Sequence, residues 1–125
     1  MDRDTILVVE DDSDVRGALV ALLEGAGYAT VEAEHGGEAL RLLRNTSTGS
    51  TSKVCLILLD LFMPEMNGWA FRTEQLNDPE LAAIPVVVIT ADPGAAKRAM
   101  IPGVVASLTK PVEFDQLLRI VQRHC

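Results

Sequence analysis

The sequence has few aromatic residues and few cysteines, and both shortages limit what kind of protein it can be. Only 4% of its 125 residues are aromatic, whereas 48% are hydrophobic, so we expect an aliphatic core. The two cysteines, Cys55 and Cys125, are too few for a disulfide framework. Cys55 lies in a predicted buried strand and Cys125 is the last residue. We expect both to be free thiols in a reducing compartment.

Positive charge is scarce, and several familiar binding motifs are missing. The net charge of −7 disfavours nucleic-acid binding, because an acidic surface repels phosphate backbones. No apolar run is long enough to cross a membrane, and the first four residues do not resemble a signal peptide. There is no Gly-x-Gly-x-x-Gly and no Walker loop for a nucleotide. We expect a cytoplasmic, soluble protein without nucleic-acid or membrane partners, and a monomer or weak dimer.

What the sequence does contain is a buried strand that ends in a carboxylate. Residues 54–59 are all apolar, which predicts a strand covered on both faces, as in a parallel sheet under helices. Asp60 ends this run, and Pro64 and Asn67-Gly68 then turn the chain. At the carboxyl end of a parallel strand, Asp60 would face the crevice where open α/β sheets bind ligands. Taken alone, it could equally be a strand-end cap or a surface charge.

Strands and helices alternate along the chain. Five strand–helix pairs predict a doubly wound parallel α/β sheet with helices on both faces. We expect its flavodoxin-like form, with the strand order 2-1-3-4-5. We expect one domain over residues 1–125, with a polar Ser/Thr-rich loop at 45–53. The strands are predicted at 5–9, 28–33, 54–60, 85–90 and 104–108. The later helices are predicted at about 68–76, 93–100 and 113–124, the last of them burying Phe114, Leu117, Leu118 and Val121.

Polar side chains stand at the carboxyl ends of four of these strands. Glu10 and Asp11 follow the first strand, Asp60 the third and Lys110 the fifth, and Thr90 ends the fourth. Because the first and third strands are neighbours in this topology, their three carboxylates should converge. Such a cluster needs a cation, and hard oxygen ligands suit Mg²⁺. Lys110 would add a positive charge opposite, and Thr90 would add a hydroxyl.

This set of residues suits phosphoryl transfer to a carboxylate. Asp60 would be the nucleophile that forms an aspartyl phosphate, while Mg²⁺ screens the incoming charge. Lys110 and Thr90 would then hold phosphoryl oxygens. Plainer explanations exist: a solvated loop lysine, an ordinary strand threonine, and an acidic helix start at residues 10–12. They would have to hold at four strand ends together, which favours the functional interpretation.

In these motifs the chain resembles the response-regulator receiver domains of two-component signalling, such as the chemotaxis regulators. The resemblance covers nearly the whole chain and rests on residues 6–12 with Val15-Arg16, 59–68, 88–91 and Lys110-Pro111. It implies a phosphorelay module that takes a phosphoryl group from a phosphohistidine on a sensor histidine kinase or phosphotransfer protein. Such a module catalyses its own phosphorylation and dephosphorylation but is not an enzyme for an external substrate.

The resemblance also implies roles for individual residues and surfaces. Asp60 matches the phosphoacceptor, Lys110 the phosphate-pairing lysine and Thr90 the switch hydroxyl, and the backbone of Ala91 would contact the phosphate. The first helix, around 15–22, would face the phosphodonor. The fourth helix, fifth strand and last helix would together bind a downstream effector.

For the metal, the resemblance implies a Mg²⁺ site at the same strand ends. Asp11 and Asp60 match direct ligands, and Glu10 would act through water. The backbone carbonyl of Phe62 would complete the site.

Three positions depart from the pattern of the family. Ser107 stands where an aromatic side chain usually moves with the switch threonine, and a serine cannot fill the same cavity. Phe62, two residues after Asp60, would shield a phosphoryl group and cannot position water, so we expect slow self-dephosphorylation. Pro102 should shorten the fourth helix.

Two other functions remain open. A small aspartate-nucleophile phosphatase usually carries a second acid two residues after its nucleophile, where this chain has Phe62. A degenerate receiver would bind partners without being phosphorylated, and only Ser107 favours it.

Overall fold

A computed structural model describes residues 4–47, 53–62, 67–98 and 103–125 of the chain. Strands and helices alternate through these residues, as the sequence predicts. In order they are β1 Asp4–Val9, α1 Ser13–Gly25, β2 Ala29–Ala33, α2 Gly36–Ser47, β3 Lys53–Asp60, α3 Gly68–Asn77, β4 Val86–Thr90, α4 Pro93–Arg98, β5 Val104–Thr109 and α5 Phe114–His124. Among the described helices, none combines the length and apolar character that a membrane span requires.

The five strands form one parallel sheet in the order β2-β1-β3-β4-β5, which confirms the predicted topology. Alternate residues of each strand point to opposite faces. On β3, Ile57 and Leu59 therefore belong to one core layer, and Leu56 and Leu58 belong to the other. Because both layers are apolar, β3 is a rigid support for Asp60 at its end.

The core is aliphatic, as expected, with Phe71 as its largest fully buried side chain. The prediction for Phe114 was wrong, because this side chain is 45% exposed. Phe114 is the first residue of α5, and its ring lines an open cleft against α1 instead of packing on the sheet. The buried stripe of α5 begins one turn later, at Leu117 and Val121.

Two predicted boundaries also change. The helix α2 continues to Ser47 and β3 begins at Lys53, so the predicted loop at 45–53 is at most residues 48–52, which lie outside the described residues. Near the end of α2, Arg44 forms ion pairs with Glu74 and Asp78 of the α3 region. The helix α4 is described over Pro93–Arg98, and residues 99–102, which include its predicted end and Pro102, lie outside the described residues.

Cys55 and Cys125 form a disulfide, so the expectation of two free thiols was wrong. Their Cα atoms are 5.7 Å apart, within the range that a disulfide spans. Cys55 lies near the start of β3, and Cys125 directly follows α5. The bond therefore ties the end of α5 to the strand that carries Asp60. Sequence spacing does not reveal this pairing, because the two residues are 70 positions apart and meet only through the fold.

The disulfide should contribute measurably to stability. Because it closes a loop of 70 residues and restricts the unfolded chain, reduction should lower the free energy of unfolding by roughly 4 kcal/mol. Urea unfolding with and without a reductant measures this difference. Cys125→Ser is the matched control, since its stability should not respond to the reductant. Identical unfolding midpoints for the oxidised and reduced native chain would contradict the prediction.

Candidate functional site

Three carboxylates meet where β1 and β3 end. One oxygen from each of Glu10, Asp11 and Asp60 lies within 4.8 Å of the other two. Parallel pairing of β1 with β3 explains the meeting, because Val9 and Leu59 are in register and the acids follow them directly. The cluster thus forms at the edge of the sheet that the strand order predicts.

Lys110, which follows the edge strand β5, contacts two of these acids. Its Nζ lies 2.6 Å from Glu10 Oε1 and 3.6 Å from Asp60 Oδ2. Its backbone N–H donates to the carbonyl of Thr90 at 2.8 Å. This hydrogen bond to the end of β4 fixes the position of the lysine backbone. The structure therefore brings Glu10, Asp60 and Lys110 into one ionic group.

Two of the three carboxylates are buried and one is exposed. Glu10 is 1% exposed and Asp60 is 4% exposed, whereas Asp11 faces solvent. An unpaired buried carboxylate is costly, and here two of them share a single lysine. Asp11 is the acid best placed to meet a ligand that arrives from solution.

Burial and neighbouring charges shift the pKa values of Asp60 and Lys110. Burial, together with the neighbouring Glu10 carboxylate, raises the pKa of Asp60 to about 8, although Lys110 and the Phe62 N–H act in the opposite direction. Burial disfavours the charged form of Lys110, but its contacts with Glu10 and Asp60 outweigh that effect and raise the pKa of Lys110. The site therefore has more negative charge than Lys110 balances, and a proton or a divalent cation would relieve the excess.

The loop after Asp60 lies close against the start of α3. The N–H of Phe62 donates to Asp60 Oδ1 at 3.2 Å. The N–H of Gly68 donates to the Leu61 carbonyl, and a Cβ at position 68 would lie 2.8 Å from Leu61 Cα. Only glycine fits this approach, which gives the predicted Asn67-Gly68 turn a steric cause. Asn67 caps α3 by accepting a hydrogen bond from the Ala70 N–H at 2.9 Å.

The side chain of Phe62 lies at the surface beside the site. It is 51% exposed, and its ring meets that of Trp69 edge to face with centroids 5.4 Å apart. Phe62 thus contacts Asp60 through its backbone N–H and α3 through its ring.

Thr90 and Ala91 end the neighbouring strand. Thr90 is fully buried, and its Oγ1 accepts a hydrogen bond from the Asp92 N–H at 3.2 Å. Among the described contacts, none joins this hydroxyl to the carboxylate cluster. Its own proton can still be donated, since a hydroxyl is both donor and acceptor. Ala91 follows it and is exposed.

Two features of this edge of the sheet were not predicted from the sequence. The Lys110–Pro111 peptide bond is cis. Arg16, in the first turns of α1, donates from Nη1 to the Glu10 carbonyl at 2.7 Å. The sequence signal that could have indicated the Arg16 contact was a cation near a helix N-terminus, where the helix dipole disfavours positive charge.

An apolar cleft of about 450 Å³ opens beside Lys110, between α1 and the start of α5. Its walls contain one charged side chain, that of the lysine that contacts Asp60. The lining residues are Val15, Ala18, Leu19, Lys110, Pro111, Val112 and Phe114.

Comparison with known proteins places these features in one family. A family model described as the response regulator receiver domain matches residues 6–122. The protein PilH of Pseudomonas aeruginosa is 33% identical, over 93% of this chain and 93% of its own length. The receiver domain of a signal transduction histidine kinase from Syntrophus aciditrophicus is 35% identical, with a TM-score of 0.81 over 95% of this chain and 87% of that one. The receiver domain of the hybrid histidine kinase CckA is 28% identical, with a TM-score of 0.78 over 96% of this chain and 97% of that one.

The acidity of Asp60 gives a direct test of this geometry. In metal-free buffer, carbon NMR of the carboxyl groups should show Asp60 titrating near pH 8 instead of near its ordinary pKa of about 4. Glu10→Gln should lower this pKa because it removes a neighbouring negative charge. Lys110→Met should raise it because it removes the compensating positive charge. A native Asp60 that titrates near pH 4 would show that burial and Glu10 do not raise its pKa as described.

Proposed function

The chain belongs to the response regulator receiver domains, and on that premise we propose that Asp60 accepts a phosphoryl group from a phosphohistidine. The donor would be a sensor histidine kinase or a phosphotransfer protein. Receiver domains are signal transducers and not classical enzymes, so the chemistry that we propose is limited to phosphorylation and dephosphorylation of the chain itself, by a single domain over residues 1–125. The observation that carries the proposal is the buried Asp60 carboxylate, held between the Phe62 N–H and Lys110.

Asp60 is well placed to act as the nucleophile. Its Oδ1 is held by a backbone donor, while Oδ2 faces Lys110 at 3.6 Å. Only the ionised carboxylate attacks phosphorus, and burial beside Glu10 favours the protonated form. Reaction at neutral pH therefore needs additional positive charge close to Asp60.

Mg²⁺ fits this requirement, because the cluster offers carboxylate oxygens and an excess of negative charge. We propose that Asp11 and Asp60 bind it directly, that Glu10 acts through water, and that the Phe62 carbonyl completes the site. Bound there, Mg²⁺ would screen the charge of the incoming phosphoryl group. The exposure of Asp11 supports its role as a direct ligand. The 2.6 Å contact of Glu10 with Lys110 supports an indirect role for Glu10.

Lys110, Thr90 and Ala91 would hold the phosphoryl group once it is attached. Lys110 already lies beside Asp60 Oδ2 and can pair with a phosphoryl oxygen. The Thr90 hydroxyl would donate its proton to a second oxygen, and the backbone of Ala91 would contact the same group. Each of these interactions is charge-assisted and therefore among the stronger hydrogen bonds.

Two surfaces suit the partners of a receiver domain. The apolar cleft beside Lys110 supports approach of the phosphodonor along residues 15–22 of α1. On the other side, β5 is an edge strand with Val105 39% exposed, and we propose that the face formed by α4, β5 and α5 binds the downstream effector. We propose a monomer or weak dimer.

A cytoplasmic location remains a prediction. The disulfide removes one of its supports, because free thiols were the reason for expecting a reducing compartment. The proposed phosphodonor is a further support for it.

The acceptor role is tested by incubating the protein with acetyl phosphate, with and without Mg²⁺, and resolving the products by phosphate-affinity electrophoresis. We expect Mg²⁺-dependent modification of the native chain and none of Asp60→Ala, because the nucleophile is gone. Asp115→Ala, an exposed acid of α5, is the control and should be modified normally. Modification that persists in Asp60→Ala would exclude this acceptor. No modification at all would favour a phosphorylation-independent binding module, which the serine at position 107 also favours.

The phosphorylated form should lose its phosphoryl group slowly, because Phe62 offers no polar atom to position a water molecule. Phe62→Asn should accelerate the loss by about tenfold, below the range of an optimised general base. Leu76→Asn is a matched control, since Leu76 is a similarly exposed apolar residue of the α3 helix. Phosphate release after removal of the donor measures the rate. A half-life of seconds for the native protein would refute the prediction.

A further inference from the structure

Arg16 occupies a position that helix energetics alone does not explain. It is the fourth residue of α1, where the positive end of the helix dipole disfavours a cation. Its side chain is nevertheless only 13% exposed. A largely buried cation in this place needs compensating partners, and those partners indicate what it does.

The guanidinium connects three elements at the edge of the sheet that carries the acids. Nη1 donates to the backbone carbonyl of Glu10 at 2.7 Å, and Nε donates to Glu32 Oε1 at 3.1 Å. Nη2 lies 4.0 Å from Glu34 Oε1. The planar fork of arginine allows these contacts at once, so α1 and the end of β2 are both tied to the end of β1.

Because of these contacts, the backbone of Glu10 is held on both sides. Its N–H donates to the Ala33 carbonyl at 3.0 Å, and its carbonyl accepts from Arg16. Two residues later, Asp12 caps α1 by accepting from the N–H groups of Asp14 and Val15. The segment between these anchors contains a single residue, Asp11.

Asp11 depends on this backbone for its placement. Among the described residues, no hydrogen bond or ion pair is formed by the Asp11 side chain, so only the main chain fixes where this side chain starts. Its oxygen nevertheless lies within 4.8 Å of those of Glu10 and Asp60. The backbone contact of Arg16 is thus one of the few interactions that can keep Asp11 in the cluster.

We propose that Arg16 is a positioning residue that holds the Glu10–Asp11 segment in the geometry that binds Mg²⁺. The proposal rests on the proposed metal site and goes beyond it, because Arg16 would act through the backbone carbonyl of Glu10 and not through a carboxylate of the site. A purely stabilising ion pair would be the other explanation. Glu32 is 49% exposed, however, and ion pairs with such an exposed partner contribute little to stability.

The test is Mg²⁺ binding measured by calorimetry on the whole chain, with no phosphodonor present. Arg16→Gln should weaken binding by about tenfold, the lower end of the effect of groups that orient metal ligands. Arg16→Lys should weaken it less, since an ammonium can reach one acceptor but cannot reproduce the fork. Arg119→Gln makes the same charge change at an exposed position of α5 and should leave the affinity unchanged.

A second readout separates positioning from general destabilisation. With acetyl phosphate, Arg16→Gln should need more Mg²⁺ for half-maximal phosphorylation but should reach the native rate when Mg²⁺ is saturating. A lower maximal rate with an unchanged Mg²⁺ requirement would overturn the proposal. If Arg16→Gln does not fold, Arg16→Lys and Glu32→Gln replace it in this test. Arg16→Lys keeps a positive charge at position 16, and Glu32→Gln leaves the arginine itself intact. Each should still raise the Mg²⁺ requirement.

The outcomes distinguish this inference from the function on which it rests. If the native chain binds Mg²⁺ and Arg16→Gln binds it equally well, only the role of Arg16 is refuted. If the native chain does not bind Mg²⁺, the proposed metal site fails and the role of Arg16 fails with it.

Discussion

The ionic group of Glu10, Asp60 and Lys110 is the constraint on which the rest of the structure depends. Two buried carboxylates share one lysine, with Nζ 2.6 Å from one and 3.6 Å from the other. Each residue sits at the end of a different strand, so the group exists only if β1, β3 and β5 end at the same edge of the sheet. A parallel sheet in the order β2-β1-β3-β4-β5 meets that condition.

The apolar sheet makes the ionic group rigid. Leu56 to Leu59 are all at most 1% exposed, so the strand before Asp60 is packed on both faces and cannot easily shift. The disulfide at Cys55 ties the opposite end of the same strand to the end of α5. Reactive groups carried by rigid elements keep their geometry better than groups on loops. Asp60 benefits from this, whereas Glu10 and Asp11 follow β1, where Arg16 contacts the Glu10 carbonyl.

The features that could be predicted from the sequence are those written in local patterns. Apolar runs and strand–helix alternation predicted a doubly wound parallel sheet, and its expected flavodoxin-like order placed Glu10, Asp11 and Asp60 together. The missed features depend on contacts between distant residues. The Cys55–Cys125 bond, the exposure of Phe114 and the fork of Arg16 are all decided by how α1 and α5 pack against the sheet. A sequence pattern indicates which face of a helix is apolar, but it does not indicate which residues that face will pack against.

The position of Ser107 bears on how phosphorylation at Asp60 could reach another surface. The strand β5 contains Ser107 and no aromatic side chain that could move with Thr90. Thr90 is connected to another element, because its Oγ1 accepts from the Asp92 N–H and the Asp92 carboxylate accepts from the Gly94 N–H at 2.9 Å. If the Thr90 hydroxyl turns toward a phosphoryl oxygen under the proposed function, Asp92 loses an acceptor and the first turn of α4 loses part of its support. The turn between β4 and α4 is then the most direct route from the acceptor to the effector face.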